Sequence, residues 1–313
     1  MGKYDESWKE VIEIFFPQFL GFFFPQIAEE IDFTKEITFL DKELAKISKK
    51  GLGGRRVDTL VRVYRKDGEE QWLLIHIEVQ GYVQKPLEFE CRMYVYNYRI
   101  FDRYDRNVIG LAVLTDEIRS FRPGAYRFEF GDFRLEMVFP VVKLLDYLER
   151  WEELKRSANP FSVVVMAHLQ SQKTRGKVRE RFEWKLRLTR MLYERGYDKD
   201  TVLGLYRFID WVLALPEGLE ALVHEEIVKE EEAMAMAYIT TAERIGMKKG
   251  LQQGLLEEAR EMVLEALEER FGGVSPDLSE RIREMGDRKV LRKLHRLAVR
   301  AGSLEEFETH AKL

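Results

Sequence analysis

Gln71-Trp-Leu-Leu-Ile-His-Ile-Glu-Val-Gln80 reads as a β-strand, but one of its two sides is unusual for a buried strand. At a period of two, Leu73, Ile75, Ile77 and Val79 share one side, while Trp72, Leu74, His76, Glu78 and Gln80 share the other. A carboxylate, an imidazole and an amide are thereby gathered on one surface. The preceding run, Arg55-Arg-Val-Asp-Thr-Leu-Val-Arg-Val-Tyr64, has the same strand character, and Lys66-Asp67-Gly68 is a turn sequence between the two. A hairpin is predicted, with Asp58 on a neighbouring position of the ladder. Two carboxylates held together on adjacent strands repel each other unless a cation sits between them. The pattern therefore points to a hard-metal site.

The flanking sequence tells how this hairpin is embedded. From about Lys85 to Tyr104 the spacing predicts a helix, with Leu87, Cys91, Tyr94, Tyr98 and Phe101 on one stripe. The other stripe holds Lys85, Glu88, Arg92, Tyr96, Arg99 and Arg103. Val108-Ile-Gly-Leu-Ala-Val-Leu-Thr-Asp116 is almost unbroken in its apolar character, as a strand buried on both faces would be. Strand, long helix, buried strand is the grammar of a right-handed crossover between parallel neighbours. Residues 126–142 alternate enough for one or two further strands turning at Gly131-Asp132. Upstream, residues 36–50 predict a helix that carries Glu43 and ends in Lys49-Lys50 followed by glycines. The expectation is an α/β unit over 1–150, with a mixed central sheet flanked by helices. An all-helical region over 151–313 follows, with breaks at Pro160, Gly196, Pro216 and Gly272-Gly273.

Bulk properties exclude several classes. A chain of 313 residues with 45% apolar composition can bury sizeable cores, so disorder is not expected. The net charge of -4 and the near balance of charge in both halves argue against a basic nucleic-acid-binding domain, leaving phosphate contacts to local patches or bound cations. A single cysteine, Cys91, reads as a small apolar side chain and fits a reducing, cytoplasmic setting. The apolar run Val11 to Ile27 is interrupted by Glu13, Pro17, Gln18, Pro25 and Gln26 and is preceded by acids. It is read as buried helix and turn, with no membrane span or signal peptide. Pro17 and Pro25 each follow a Phe-Phe pair and suit the first turn of a helix.

An Asp on one strand, Glu-x-Gln on the next and a Glu upstream is the arrangement a metal-dependent phosphodiesterase needs. Mg²⁺ takes six oxygens in octahedral array, commonly one or two carboxylates completed by water and substrate phosphate. Asp58 and Glu78 supply the carboxylates, the Val79 carbonyl a further oxygen, and Glu43 a hold on a second cation or its water shell. Each also has a structural use: Asp58 as a turn former, Glu78 as an edge charge and Glu43 on a solvated helix face.

The order of these segments resembles the PD-(D/E)XK nuclease superfamily. More closely, Phe39-Leu-Asp-Lys-Glu43, Arg55-Arg-Val-Asp58, Ile75-His-Ile-Glu-Val-Gln80, Tyr96-Asn-Tyr-Arg-Ile-Phe-Asp102 and Leu111-Ala-Val-Leu-Thr-Asp116 look like the recombination-promoting nucleases, also labelled transposases. The resemblance covers residues 1 to about 150, and the later helices are similar to the looser tails of those proteins. It implies a restriction-endonuclease-like core, Mg²⁺- or Mn²⁺-dependent cleavage of DNA, and a link to recombination or mobile elements. Val57 stands where the superfamily's proline would be, and Gln80 where its lysine would be. A neutral amide orients a water but cannot take up its proton. His76, two residues before Glu78, is a candidate for that proton chemistry or for a plain hydrogen bond beside the site. A silent DNA-binding or assembly protein that keeps the fold is the alternative that Gln80 raises.

Three further features bear on partners. Arg92, Tyr96 and Arg99, at helical spacing beside the site, suit a phosphate clamp and a stacked base, or ordinary salt bridges. Between Lys173 and Lys199 ten cations outnumber the acids, with Trp184 and Tyr193 interleaved, a footing for DNA or a solvated helix. Gly246, Gly250 and Gly254 recur every fourth residue, which suits either close approach of a second helix, as in a homodimer through residues 240–270, or a weak helix that merely tolerates them.

Overall fold

The computed structural model describes residues 2–40, 57–78, 86–233 and 241–311; side chains at 2–6, 57–58, 75–78, 86–88, 217, 230–233, 241–255, 276 and 300 fall outside that description. The chain forms two compact units, Met1–Tyr238 and Ile239–Leu313.

The first unit is mixed α/β. Three helices open it: α1 (Gly2–Ile14), α2 (Phe16–Phe23) and α3 (Pro25–Glu30), with Pro17 and Pro25 in the first turns of α2 and α3. The strands are β1 (Thr38–Phe39), β2 (Val57–Tyr64), β3 (Glu70–Glu78), β4 (Val108–Leu114), β5 (Ala125–Phe130), β6 (Phe133–Val138) and β7 (Val141–Lys143). Helix α4 (Pro86–Tyr104) joins β3 to β4. The main sheet runs β1-β2-β3-β4-β7, antiparallel from β1 to β3 and parallel from β3 to β7. The predicted hairpin and crossover are therefore present. Gly68, at φ +92, closes the turn between β2 and β3, and its N–H donates to the Arg65 carbonyl at 2.9 Å. Strands β5 and β6 turn at Gly131 and form a separate two-stranded sheet, tied to α4 by the Tyr94–Tyr126 stack at 4.7 Å.

The start of the helix predicted over 36–50 needs correction. Thr38 and Phe39 are strand, opposite Arg62 and Val61, and the Arg62 guanidinium donates to the Thr38 hydroxyl at 2.9 Å. A β-branched and an aromatic residue at a sheet edge satisfy β2 better than they would start a helix. Residues 41–56, Glu43 among them, lie outside the described residues.

Both faces of the sheet are covered. On one, Leu60, Trp72 and Leu74 pack with Tyr96 and Ile100 of α4, while Phe89 and Met93 meet Ala112, Leu114 and Phe139. Gly110 permits this closeness, because a Cβ there would lie 2.9 Å from the Met93 methyl. The stripes predicted for α4 are thereby corrected: Tyr98 and Phe101 are about half exposed, and the buried row is Phe89, Arg92, Met93, Tyr96 and Ile100. Tyr98 keeps its hydroxyl at the rim, whereas the exposure of Phe101 follows from the phase of the helix, so apolar character alone misassigned the row.

Val61, Val63 and Leu73, of the opposite parity, are buried as well, and α1 packs against β2. A helical layer, α5 (Trp151–Arg156), α6 (Pro160–Lys173), α7 (Val178–Glu194), α8 (Lys199–Val212) and α9 (Glu217–Ala233), follows a short 3-10 turn at Leu144–Leu148. α6 is buried from Pro160 to Ser171, which makes it the central helix of this layer. Its Asn159 cap accepts from the Phe161 N–H at 2.9 Å. Phe161 meets Phe19 and Phe23 of α2, and Trp8 of α1 meets Phe208 of α8 at 5.6 Å. The division expected at residue 150 therefore does not mark a boundary between units. The aromatic faces of α1 and α2 require a cover, and the helices after residue 151 supply it.

The second unit holds α10 (Thr241–Phe271), α11 (Pro276–Glu284), α12 (Arg288–Arg300) and α13 (Leu304–Ala311). Ala259, Val263 and Leu267 of α10 close a core with Leu278, Ile282, Leu291, Leu294, Ala298 and Phe307. Ser275 and Asp287 cap α11 and α12.

Candidate active site

The parallel strands β3, β4 and β7 end on the same edge of the sheet, and in open α/β sheets that carboxyl edge is where ligands bind. The register of the hairpin sets Asp58 directly opposite His76 and Val57 opposite Ile77. Glu78 is two positions beyond His76, so it is the diagonal neighbour of Asp58 across the ladder. Diagonal positions of an antiparallel pair stand roughly 7–8 Å apart. Leu60, Leu74 and Trp72 occupy ladder positions of the same parity, and they pack beneath α4. Val79 and Gln80, like Glu43, lie outside the described residues.

Helix α4 returns antiparallel to β3, because it connects parallel strands. Tyr96 and Ile100 sit over Leu74 and Trp72, so Arg92, one turn earlier, is at the level of the later residues of β3. Arg92 is only 4% exposed, and its guanidinium lies 5.1 Å from the centre of the Phe89 ring. An arginine is seldom buried to that extent unless anionic groups surround it. Tyr96 is also 4% exposed and belongs to the apolar cluster, so the base-stacking use expected of it is replaced by a core role. Arg99 is partly buried.

Beside this edge lies a polar group that the sequence reading missed. Lys143, at the end of β7, has a 2% exposed side chain; its ammonium donates to both Asp116 carboxylate oxygens, at 2.7 and 2.8 Å, and to the Phe121 carbonyl at 3.1 Å. Those three acceptors use all three ammonium donors. The pair is a tie between the ends of β4 and β7.

His168 of α6 anchors the neighbouring residue. Its Nδ1 accepts from the Trp8 indole at 3.4 Å, which leaves the proton on Nε2, facing the Thr115 carbonyl at 3.4 Å. Gln172 donates to the same carbonyl at 2.5 Å. Burial pushes the imidazole down to about 4 from an ordinary 6.5, so it is neutral in the fold. The unfolded chain takes up a proton first as the pH falls, so the stability tied to His168 is complete above about pH 6.5 and is lost on the way to pH 4. The full loss is about 3 kcal/mol. Urea titrations at pH 7 and pH 4.5 are expected to show a loss for the wild type that is about 2–3 kcal/mol larger than for His168→Gln. Equal losses would contradict the assignment.

Of the two uses open to the basic run from Lys173 to Lys199, structural pairing takes up much of it. The Lys185 side chain is fully buried and reaches Asp210 and Glu220, each at 2.6 Å. Arg195 donates to Ser162, Tyr197 and the carbonyls of Leu154 and Lys155. Arg175, Lys177 and Arg179 pair with Glu117, Glu180 and Glu183. Tyr193 is buried, and Trp184 packs edge-on against Trp151.

Among the described residues no group of three His, Cys, Asp or Glu side chains is placed to hold a metal ion. Nor is any helix among them long and apolar enough to cross a membrane. No protein-family model, curated protein or solved structure matches the chain.

Proposed function

We propose that this protein is a divalent-metal-dependent endonuclease that hydrolyses phosphodiester bonds in DNA. The observation that carries the reading is the register of β2 against β3, which makes Asp58 and Glu78 diagonal neighbours at the carboxyl edge of the sheet. Two carboxylates at that spacing suit a cation that prefers hard oxygen ligands, and Mg²⁺ or Mn²⁺ is the class of ion that fits them. The antiparallel hairpin, crossover helix and parallel strand follow the order that the resemblance to PD-(D/E)XK nucleases implies.

In this reading Asp58 and Glu78 bind the ion, the Val79 carbonyl adds an oxygen, and Glu43 assists. The ion, when bound, polarises a phosphoryl oxygen and acidifies a coordinated water. Gln80 orients the attacking water through its amide and leaves proton transfer to a second group, for which His76, opposite Asp58, is the nearest imidazole by register. Arg92 adds positive charge at the level of the strand end, where phosphate negative charge gathers. Arg99, two turns further along α4 and beside Ile100, lies about 10 Å back toward the start of β3, so the phosphate contact falls to Arg92.

The test is conversion of supercoiled plasmid to nicked or linear forms. Fresh protein is expected to cut with Mg²⁺ or Mn²⁺ and to stop on addition of EDTA. Plasmid left intact under both metals would overturn the reading.

A further inference from the structure

With the cations of residues 173–199 largely committed to internal pairs, the chain needs another explanation for how an acidic protein would hold DNA. Helix α12 offers one. Its thirteen residues, Arg-Lys-Val-Leu-Arg-Lys-Leu-His-Arg-Leu-Ala-Val-Arg, contain six lysines or arginines and no acid. Leu291, Leu294 and Ala298 bury one side in the core of the second unit. Lys289, Arg292, Lys293 and Arg296 are exposed. They recur at i, i+3, i+4 and i+7, which places them on one continuous face about 10 Å long. Among the described residues none of these four side chains takes part in an ion pair or hydrogen bond.

We infer that this face of α12 binds the phosphate backbone of duplex DNA, an inference that rests on the endonuclease reading above. An anionic bilayer fits less well, because the apolar side of α12 is already buried and only Val290 and Val299 are exposed large apolar residues on it. The exposed acids Glu257, Glu261, Glu265 and Glu268 of α10 would suit a second copy of the chain. Such a contact would consist of exposed ion pairs, each worth about 0–1 kcal/mol, with almost no apolar centre. Phosphates gain in addition from the counterions they release, and they outcompete carboxylates on a helix surface that is cationic and otherwise polar.

The test is fluorescence anisotropy of a labelled duplex of about 20 base pairs, with full-length protein in EDTA, between about 50 and 200 mM NaCl. Four neutralised phosphate contacts predict that Lys289→Gln/Arg292→Gln/Lys293→Gln/Arg296→Gln binds more weakly and that its slope of log K against log salt is shallower by about 3.6. Lys289→Arg/Lys293→Arg is expected to keep the wild-type slope. All the altered residues are exposed, and equal melting temperatures would verify folding. Unchanged affinity and slope in the fourfold variant would overturn the inference, as would absence of duplex binding by the wild type. Binding through these residues to phosphatidylserine vesicles but not to the duplex would also overturn it. So would loss of a dimer in light scattering with duplex binding intact. Because no cleavage is measured, a protein that binds through α12 and cuts nothing would overturn the endonuclease reading alone.

Discussion

Asp58→Asn and Glu78→Gln are each expected to lower the rate of plasmid cleavage by at least about 10³-fold, equivalent to about 4 kcal/mol of transition-state stabilisation. The amides keep the volume of the carboxylates, so the effect isolates the charge. The strands that carry them are held by other residues: Leu60, Val61 and Val63 on β2 and Leu73 and Leu74 on β3 are fully buried. Each variant should therefore fold with the wild-type circular dichroism spectrum while losing activity. A variant that folds and cuts at the wild-type rate would remove that residue from the site.

Lys185→Met is expected to destabilise the first unit by about 3–5 kcal/mol in urea unfolding, because it leaves two carboxylates facing a buried gap. The ammonium reaches Asp210 at 2.6 Å and both Glu220 oxygens at 2.8 and 2.6 Å, tying α7 to α8 and α9. Glu220 also accepts from the Leu215 N–H at 2.7 Å, and burial raises its carboxyl above the usual range. Two negative charges against one cation therefore depend on that cation. The combination Lys185→Met/Asp210→Leu/Glu220→Gln removes the charges together and is expected to recover most of the loss. A loss below about 1 kcal/mol for Lys185→Met would mean that solvent, which reaches a quarter of the Asp210 side chain, already screens the group.

The elements with strict periodicity were legible in the sequence. The alternation in residues 55–64 and 71–80, the Lys66-Asp67-Gly68 turn, and the unbroken apolar run from Val108 predicted a hairpin and a parallel crossover, and these are present, with strands over Val57–Tyr64 and Glu70–Glu78. The positions that were misread are those where tertiary contacts overrule local pattern. Thr38 and Phe39 become strand because β2 needs an edge partner. Arg92 and Tyr96 turn inward, while the equally aromatic Tyr98 and Phe101 turn out, since the phase of α4 is set by Met93 entering the space above Gly110. Lys185, within the basic run, and Lys143 are buried by long-range carboxylates, and a partner more than twenty residues away leaves no periodic mark. His168 was equally silent: it is the one imidazole in the helix Pro160–Lys173, and its contacts to Trp8 and Thr115 come from far along the chain. For the candidate site itself, the alternation placed Asp58, His76 and Glu78 at matching ladder positions, and the observed register agrees with that placement.

The most direct measurement is calorimetric titration of Mn²⁺ into the full-length wild-type protein and into Asp58→Asn and Glu78→Gln. A site shared by the two strands predicts stoichiometric uptake by the wild type and loss of that uptake in both variants. Uptake that is absent from the wild type, or unchanged in either variant, would contradict a cation held between Asp58 and Glu78.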